Sequence, residues 1–244
     1  GIPVTYVLNG DLNKDFMGQY QKEKFFGYGF GPSTDTMCGF PHFRHVEFSG
    51  EFPIAELNFK DENFPAEIKL IAFNPFIPND EDNSSIPAAF FEIEIKNITD
   101  ETIEYQTALS VANPFKITRN RSEIADGIRV LKLYSGADKD DADYGDLCIA
   151  SDCEDVHIQT CWYRGKWRDG VVTYWSEFDS CENLNDRNYD EDGDSDTGTV
   201  SAAVKIMPGK TERVRFVLSW NIPNNRKYWG KDDEQKLGWK NYYA

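Results

Sequence analysis

Long apolar runs are absent from this chain of 244 residues. No stretch approaches the ~18 consecutive apolar residues of a membrane-crossing helix, so no transmembrane segment is expected. Sustained helical periodicity is missing as well, which excludes a helical bundle. Histidine is scarce, with only His42, His45 and His157. His42 and His45 stand three apart, so on a strand they point to opposite faces and cannot share a metal. Basic residues are outnumbered: 26 Lys and Arg stand against 42 Asp and Glu, a net charge of −16. Such a field repels phosphate backbones and anionic lipid, so nucleic acid is not an expected partner. The Gly-rich phosphate loop, Gly-x-Ser-x-Gly, His-Glu-x-x-His and a Cys/His dyad are also missing, and no residue is assigned a catalytic role.

The sequence opens Gly1-Ile2-Pro3-Val4, with neither an initiator Met nor a signal-peptide pattern, and reads as a piece of something longer. Its five cysteines are Cys38, Cys148, Cys153, Cys161 and Cys181. An odd number leaves at least one thiol unpaired within the chain. Free thiols in a reducing, cytoplasmic setting are the first reading, and a local Cys148–Cys153 disulfide is the alternative. The sequons at Asn83, Asn97 and Asn120 are too common by chance to establish secretion.

What is present is a period of two. Phe91-Glu92-Ile93-Glu94-Ile95-Lys96 alternates apolar and charged residues, and so does the run from Ile103 to Leu109. Turn residues at 97–101 separate them, which predicts a hairpin with one face in a core. Further β-rich runs cover 43–48, 52–59, 66–73, 127–134, 155–162, 200–207 and 213–220. The turn Met207-Pro208-Gly209-Lys210 predicts a second hairpin from the last two runs. Helix candidates are short: 174–179 and the tail after Lys231. Many short antiparallel strands in one undivided chain predict an all-β fold, a large antiparallel β-sandwich of two sheets with short helices only in connections.

Two acidic stretches, 138–146 and 183–196, read as loops. The second contains Asn188-Tyr189-Asp190-Glu191-Asp192-Gly193-Asp194-Ser195-Asp196. Oxygen donors at Asn188, Asp190, Asp192 and Asp196, with Gly193 at the tight turn, fit most of a calcium loop, and Asp194 adds a further carboxylate. Thr199 stands where a bidentate Glu belongs. A structural Ca²⁺ site and a solvated acidic loop are therefore both open, and no other cofactor is expected. Trp162-Tyr163-Arg164-Gly165-Lys166-Trp167-Arg168 is a basic aromatic cluster in an acidic protein. Trp162, Tyr163 and Trp167 suit carbohydrate contact, since aromatic faces stack on sugar rings. They equally suit core or interface anchors with cations at the rim.

Several blocks carry a resemblance. They are Gly50-Glu51-Phe52-Pro53-Ile54-Ala55, Ala72-Phe73-Asn74-Pro75-Phe76-Ile77-Pro78, Asp82-Asn83-Ser84-Ser85-Ile86-Pro87-Ala88-Ala89, and Phe216-Val217-Leu218-Ser219-Trp220-Asn221-Ile222-Pro223. Together they resemble the N-terminal domain of glycoside hydrolase family 116, which includes bacterial β-glucosidases and the non-lysosomal glucosylceramidase. The resemblance runs over roughly residues 40 to 243, and departs from the family over 1–31 and 148–196. It implies a single domain over 1–244, a mutarotase-like supersandwich at the N-terminal side of a longer retaining β-glycosidase. It implies that the two catalytic carboxylates lie in a following (α/α)₆ barrel, the expected partner, through which a glucoside is engaged. No family catalytic residue falls on a position of this chain.

Overall fold

The computed structural model describes residues 3–10, 37, 39–166, 169–180, 184–226 and 237–243. Their strands are β1 (Val7–Gly10), β2 (His42–Phe43), β3 (His45–Glu51), β4 (Ile54–Lys60), β5 (Ala66–Phe73), β6 (Ala88–Asn97), β7 (Ile103–Ala112) and β8 (Thr118–Ala125). They continue with β9 (Ile128–Ser135), β10 (Asp146–Ser151), β11 (Val156–Gln159), β12 (Thr197–Ile206), β13 (Thr211–Asn221), β14 (Asn224–Arg226) and β15 (Leu237–Lys240). Two short helices interrupt them, α1 (Glu81–Ser84) and α2 (Asp169–Asp179).

The large sheet has the order β3-β4-β5-β6-β13-β10-β9-β8, and a second sheet has the order β11-β12-β7. All pairs in both are antiparallel. The fold is therefore all-β, with two main sheets. Alternation places the apolar residues of neighbouring strands in register on one face: Phe59 opposite Ile68, Ile68 opposite Ile95, and Ile93 opposite Val214. That face meets Tyr105, Val200, Ala202 and Ile206 of the second sheet in one buried cluster. The opposite face of the large sheet carries charge ladders. Lys69 pairs with Glu56 at 2.9 Å, Lys96 with Glu67 at 3.0 Å, and Arg215 with Glu92 at 2.7 Å. Exposed pairs of this kind add little stability each; their main effect is to keep the face wet.

Neither expected hairpin forms. β6 pairs with β5 and β13, whereas β7 pairs with β12, so the turn at 98–102 carries the chain from one sheet to the other. The turn at 207–210 does the same between β12 and β13. Alternation gives each strand one apolar face but does not say whether consecutive strands lie side by side or fold over. Folding over brings the two apolar faces together directly.

The two crossings are fastened by Asn97, which is fully buried. Its backbone N–H donates to Lys210 O at 3.0 Å, and its carbonyl accepts from Gly209 N at 3.1 Å. Its side-chain Nδ2 donates to Glu101 O (2.8 Å) and Ile206 O (2.9 Å). Oδ1 accepts from Thr99 N (2.9 Å) and Thr99 Oγ1 (2.8 Å). Gly209 sits at φ 66°, a left-handed conformation that glycine adopts without cost. Buried in this way, the Asn97 sequon is closed to modification in the folded chain.

Other expectations divide. The run 66–73 coincides with β5, and 174–179 falls inside α2. The tail is not helical where it is described: Leu237–Lys240 is a strand paired with β14, because the polar Asn224 and Asn225 turn back toward it. Residues 231–236 lie outside the described residues. Cys148, Cys153 and Cys161 are free thiols, so the Cys148–Cys153 disulfide is not formed. Cys38 and Cys181 lie outside the described residues.

Replacing Asn97 with leucine leaves the buried Ile206 carbonyl without its Asn97 donor and the part-buried Thr99 amide and hydroxyl without their Asn97 acceptor, while Glu101 O keeps Thr99 Oγ1. A loss of about 3 kcal/mol is expected, from unpaired buried polar groups at roughly 1–3 kcal/mol each. Urea unfolding should show it as a lower midpoint with an unchanged slope.

Candidate functional site

A cleft of about 990 Å³ opens where the second sheet meets the acidic loop. It is lined by Ser110 at the end of β7, by Trp162, Tyr163 and Arg164 after β11, and by residues 192–197 leading into β12. The basic aromatic cluster and the acidic loop, separate motifs in the sequence, therefore face one space.

Arg164 joins them. Its Nε and Nη2 donate to the two carboxylate oxygens of Asp196, each at 2.7 Å. Its Nη1 donates to Glu191 O at 3.0 Å, and its guanidinium lies 4.3 Å from the centre of the Tyr189 ring. Asp196 is only 6% exposed, and Thr118 Oγ1 adds a 2.6 Å hydrogen bond. A carboxylate so withdrawn from water requires an opposite charge and filled lone pairs, and the planar guanidinium fork supplies both. The loop is tied further by a bridge between Thr118 and Gly193, with N···O distances of 2.9 and 3.0 Å. Any side chain at Gly193 would strike Asp196, Thr118 and Arg164, so the close approach requires glycine.

The five residues of the calcium pattern do not converge. Asp192 is held by both Nε and Nη2 of Arg119, which lowers its pKa, first through the hydrogen bond and then through charge. Asp196 faces Arg164. Asn188 lies against Thr160 Oγ1 at 3.3 Å. Asp190 and Asp194 are exposed, and Asp194 accepts from Ser195. No group of three or more His, Cys, Asp or Glu stands within metal-binding range among the described residues.

The aromatic residues divide similarly. Trp162 is half-buried; its ring stacks on Tyr174 of α2 at 4.4 Å and its Nε1 donates to Thr199 Oγ1 at 2.8 Å. It anchors the helix to the second sheet. Tyr163 is 48% exposed at the cleft. Trp167 lies outside the described residues. Next to this site the thiol of Cys161 is buried, which pushes its pKa up to about 12, with Asp196 adding to the rise. It is therefore a packing residue and a poor nucleophile.

A second ionic knot fixes α2. Glu177 receives Gln159 Nε2 at 2.9 Å, Asn185 Nδ2 at 3.1 Å, and both Nη atoms of Arg187. Burial pushes the Glu177 carboxyl up, but the hydrogen bonds from Arg187, Asn185 and Gln159 outweigh it and the net shift is downward.

Sequence reasoning did not select Thr118, Arg119 or Tyr189. The only available signal was the alternation of Thr118, Arg119, Asn120 and Arg121, basic residues on one face of a polar run. Polar strands lack the apolar periodicity that reveals other strands.

Residues 4–244 match the family model described as beta-glucosidase 2, glycosyl-hydrolase family 116 N-term. The chain belongs to that family. No curated protein matches it. Among solved structures it is similar to a protein described as a kojibiose phosphorylase from human microbiome. Identity is 10% and the TM-score 0.41, over 74% of this chain and 20% of that one. It thus spans about a fifth of that protein. A galactose mutarotase related enzyme from Lactobacillus acidophilus is similar at 10% identity and TM-score 0.33, over 79% of this chain and 73% of that one.

Two outcomes follow for this family 116 domain. Arg164→Leu strands the Asp196 charge and should cost about 4 kcal/mol, whereas joint replacement of both by apolar residues should recover most of it. Chemical denaturation of the two variants checks this. Glu177 stays ionised to lower pH in the folded than in the unfolded chain. Its contribution is complete above the ordinary range of about pH 4.3 and fades as pH falls through the lowered folded value. The stability gap between wild type and Glu177→Gln should therefore shrink on acidification below pH 4.3.

Proposed function

We propose that this chain is the non-catalytic N-terminal β-sandwich of a family 116 β-glycosidase of the β-glucosidase or glucosylceramidase type. It packs on a catalytic (α/α)₆ domain of the same polypeptide and helps shape the substrate entrance. The observation that carries this reading is the state of its withdrawn carboxylates. A retaining glycosidase needs two carboxyls about 5–5.5 Å apart, one of them able to hold a proton. Here Asp196 is clamped by Arg164, Glu177 by Arg187, and Asp61 by the amides of Asn63 and Arg44 and the Arg44 charge. Each is taken up as a hydrogen-bond acceptor, and Glu177 and Asp61 are in addition held below the usual carboxylate range, the opposite of what a general acid needs. Family membership supplies the class of reaction, and these residues support assigning the chemistry to the neighbouring domain.

A second reading is direct carbohydrate contact at the cleft, favoured by the exposed Tyr163, which lines it together with Ser110, Asp194 and Ser195. It adds to the first without replacing it. The isolated chain should release no aryl alcohol from aryl β-glucosides, while the complete polypeptide should. Turnover by residues 1–244, abolished by replacing one of their own carboxylates, would refute the reading. For the second, tryptophan fluorescence should respond to β-glucans through Trp162, and Tyr163→Ala should remove the response. Flat titrations would exclude it.

A further inference from the structure

The outer face of the large sheet changes character at one end. Along most of its width it carries the charge ladders. Its last full row is apolar: Ile54 stands in register with Phe73, Phe73 with Phe90, and Phe90 with Val217. The Phe73 and Phe90 rings stack at 5.4 Å. The surface continues past the sheet edge, where Phe52, 80% exposed, meets Phe76 edge-to-face at 4.9 Å. Ile77 and Ile86 are exposed beside it.

This surface is preformed. Ser84 Oγ accepts from Ile77 N at 2.8 Å and donates to Ile77 O at 2.9 Å, closing the segment between β5 and β6. Asp80 caps α1 by accepting from Asn83 N at 3.0 Å. Asn74 Nδ2 donates to Ala88 O across the base of the segment. The chain holds large apolar side chains outward on a rigid frame, against the usual drive to bury them.

The last described residues lead to the same place. Tyr242 donates through its hydroxyl to the Asp82 carboxylate, and Tyr243 donates to Asp82 O. Both rings are exposed, at 72% and 42%. Tyr242 and Tyr243 therefore sit against α1, the helix whose Ser84 is bonded to Ile77. Exposed Glu51 and Glu81 border the patch.

We propose that the apolar face formed by Phe52, Ile54, Phe73, Phe76, Ile77 and Ile86 is the docking surface for the segment of the polypeptide that follows residue 244. This rests on the reading above, that a catalytic domain follows. A domain tethered through Tyr243 would meet the patch at high effective concentration, because Tyr243 is bonded to α1 beside it. The complementary surface is apolar at its centre, with Lys or Arg at its rim opposite Glu51 and Glu81.

Hydrogen exchange compares the complete polypeptide with this 244-residue chain. Amides at 50–56 and 73–87 should exchange at least about tenfold more slowly in the complete polypeptide, tenfold corresponding to about 1.4 kcal/mol of added protection. Phe52→Asp with Phe76→Asp should return those amides to the isolated-chain rate. Ile124→Asp, on β8 at the far edge, should leave them unchanged. All three side chains are exposed in the isolated chain, so its circular dichroism should stay unaltered. Equal exchange in the two forms overturns the proposal. So does equal exchange accompanied by a dimer of the isolated chain in sedimentation, which assigns the face to a second copy. Protection on another face, in a complete polypeptide that hydrolyses β-glucosides, overturns this inference alone. A reading frame that stops at residue 244 overturns the functional reading together with it.

Discussion

The two-layer architecture depends on one buried side chain. Asn97 ends β6 at the point where the chain leaves the large sheet, and it holds the neighbouring crossing from β12 to β13 through Ile206 O, Lys210 O and Gly209 N. Every polar atom it carries is engaged. In a dry corner this is what makes a polar residue stabilising, because the cost of desolvation is met by partners. With both crossings fixed side by side, β6 lies against β13 in one sheet and β7 against β12 in the other. The apolar faces then close on each other, and the rest of the strand order grows outward from these four.

The same rule, a buried polar group with all its partners, governs the cleft. The net charge of −16 is concentrated in part in the 184–196 loop, yet that loop is not simply repelled into solvent. Arg164 and Arg119 reach it from two different segments and take up Asp196 and Asp192. The protein's own cations thus order part of this loop. Their cost is positional: Gly193 must stay small, and Thr118 must lie at the start of β8 to share the load.

Much of this was legible in the sequence, and the limits have physical causes. Apolar alternation located β5, β6, β7, β9, β12 and β13, because strands with one buried face must alternate. It could not show that β6 and β7 belong to different sheets, since a hairpin and a sheet crossing share the same alternation and the same turn residues. β8 and β10 went unseen. β8 is polar, with Arg119 and Arg121 on its outer face, and β10 is short. The Phe73–Ala89 block carried the family resemblance, and in the structure it is a rigid, outward-facing apolar segment. At the candidate site, Trp162, Tyr163 and the acidic residues were selected as two unrelated motifs. Their juxtaposition depends on contacts between residues 25 to 78 positions apart, which no local spacing encodes.

The face of the large sheet turned away from the second sheet carries exposed side chains among the described residues, and one end of that face is apolar. On the proposed reading, this sandwich is a domain completed by a catalytic domain of the same polypeptide. Differential scanning calorimetry tests that claim most directly. If the apolar face is docked, residues 1–244 should unfold at a higher temperature within the complete polypeptide than alone, with no transition left at the isolated chain's melting temperature, because the contact stabilises only the folded state. A transition that persists at the isolated temperature would show the sandwich to be an independent bead, and would contradict the account.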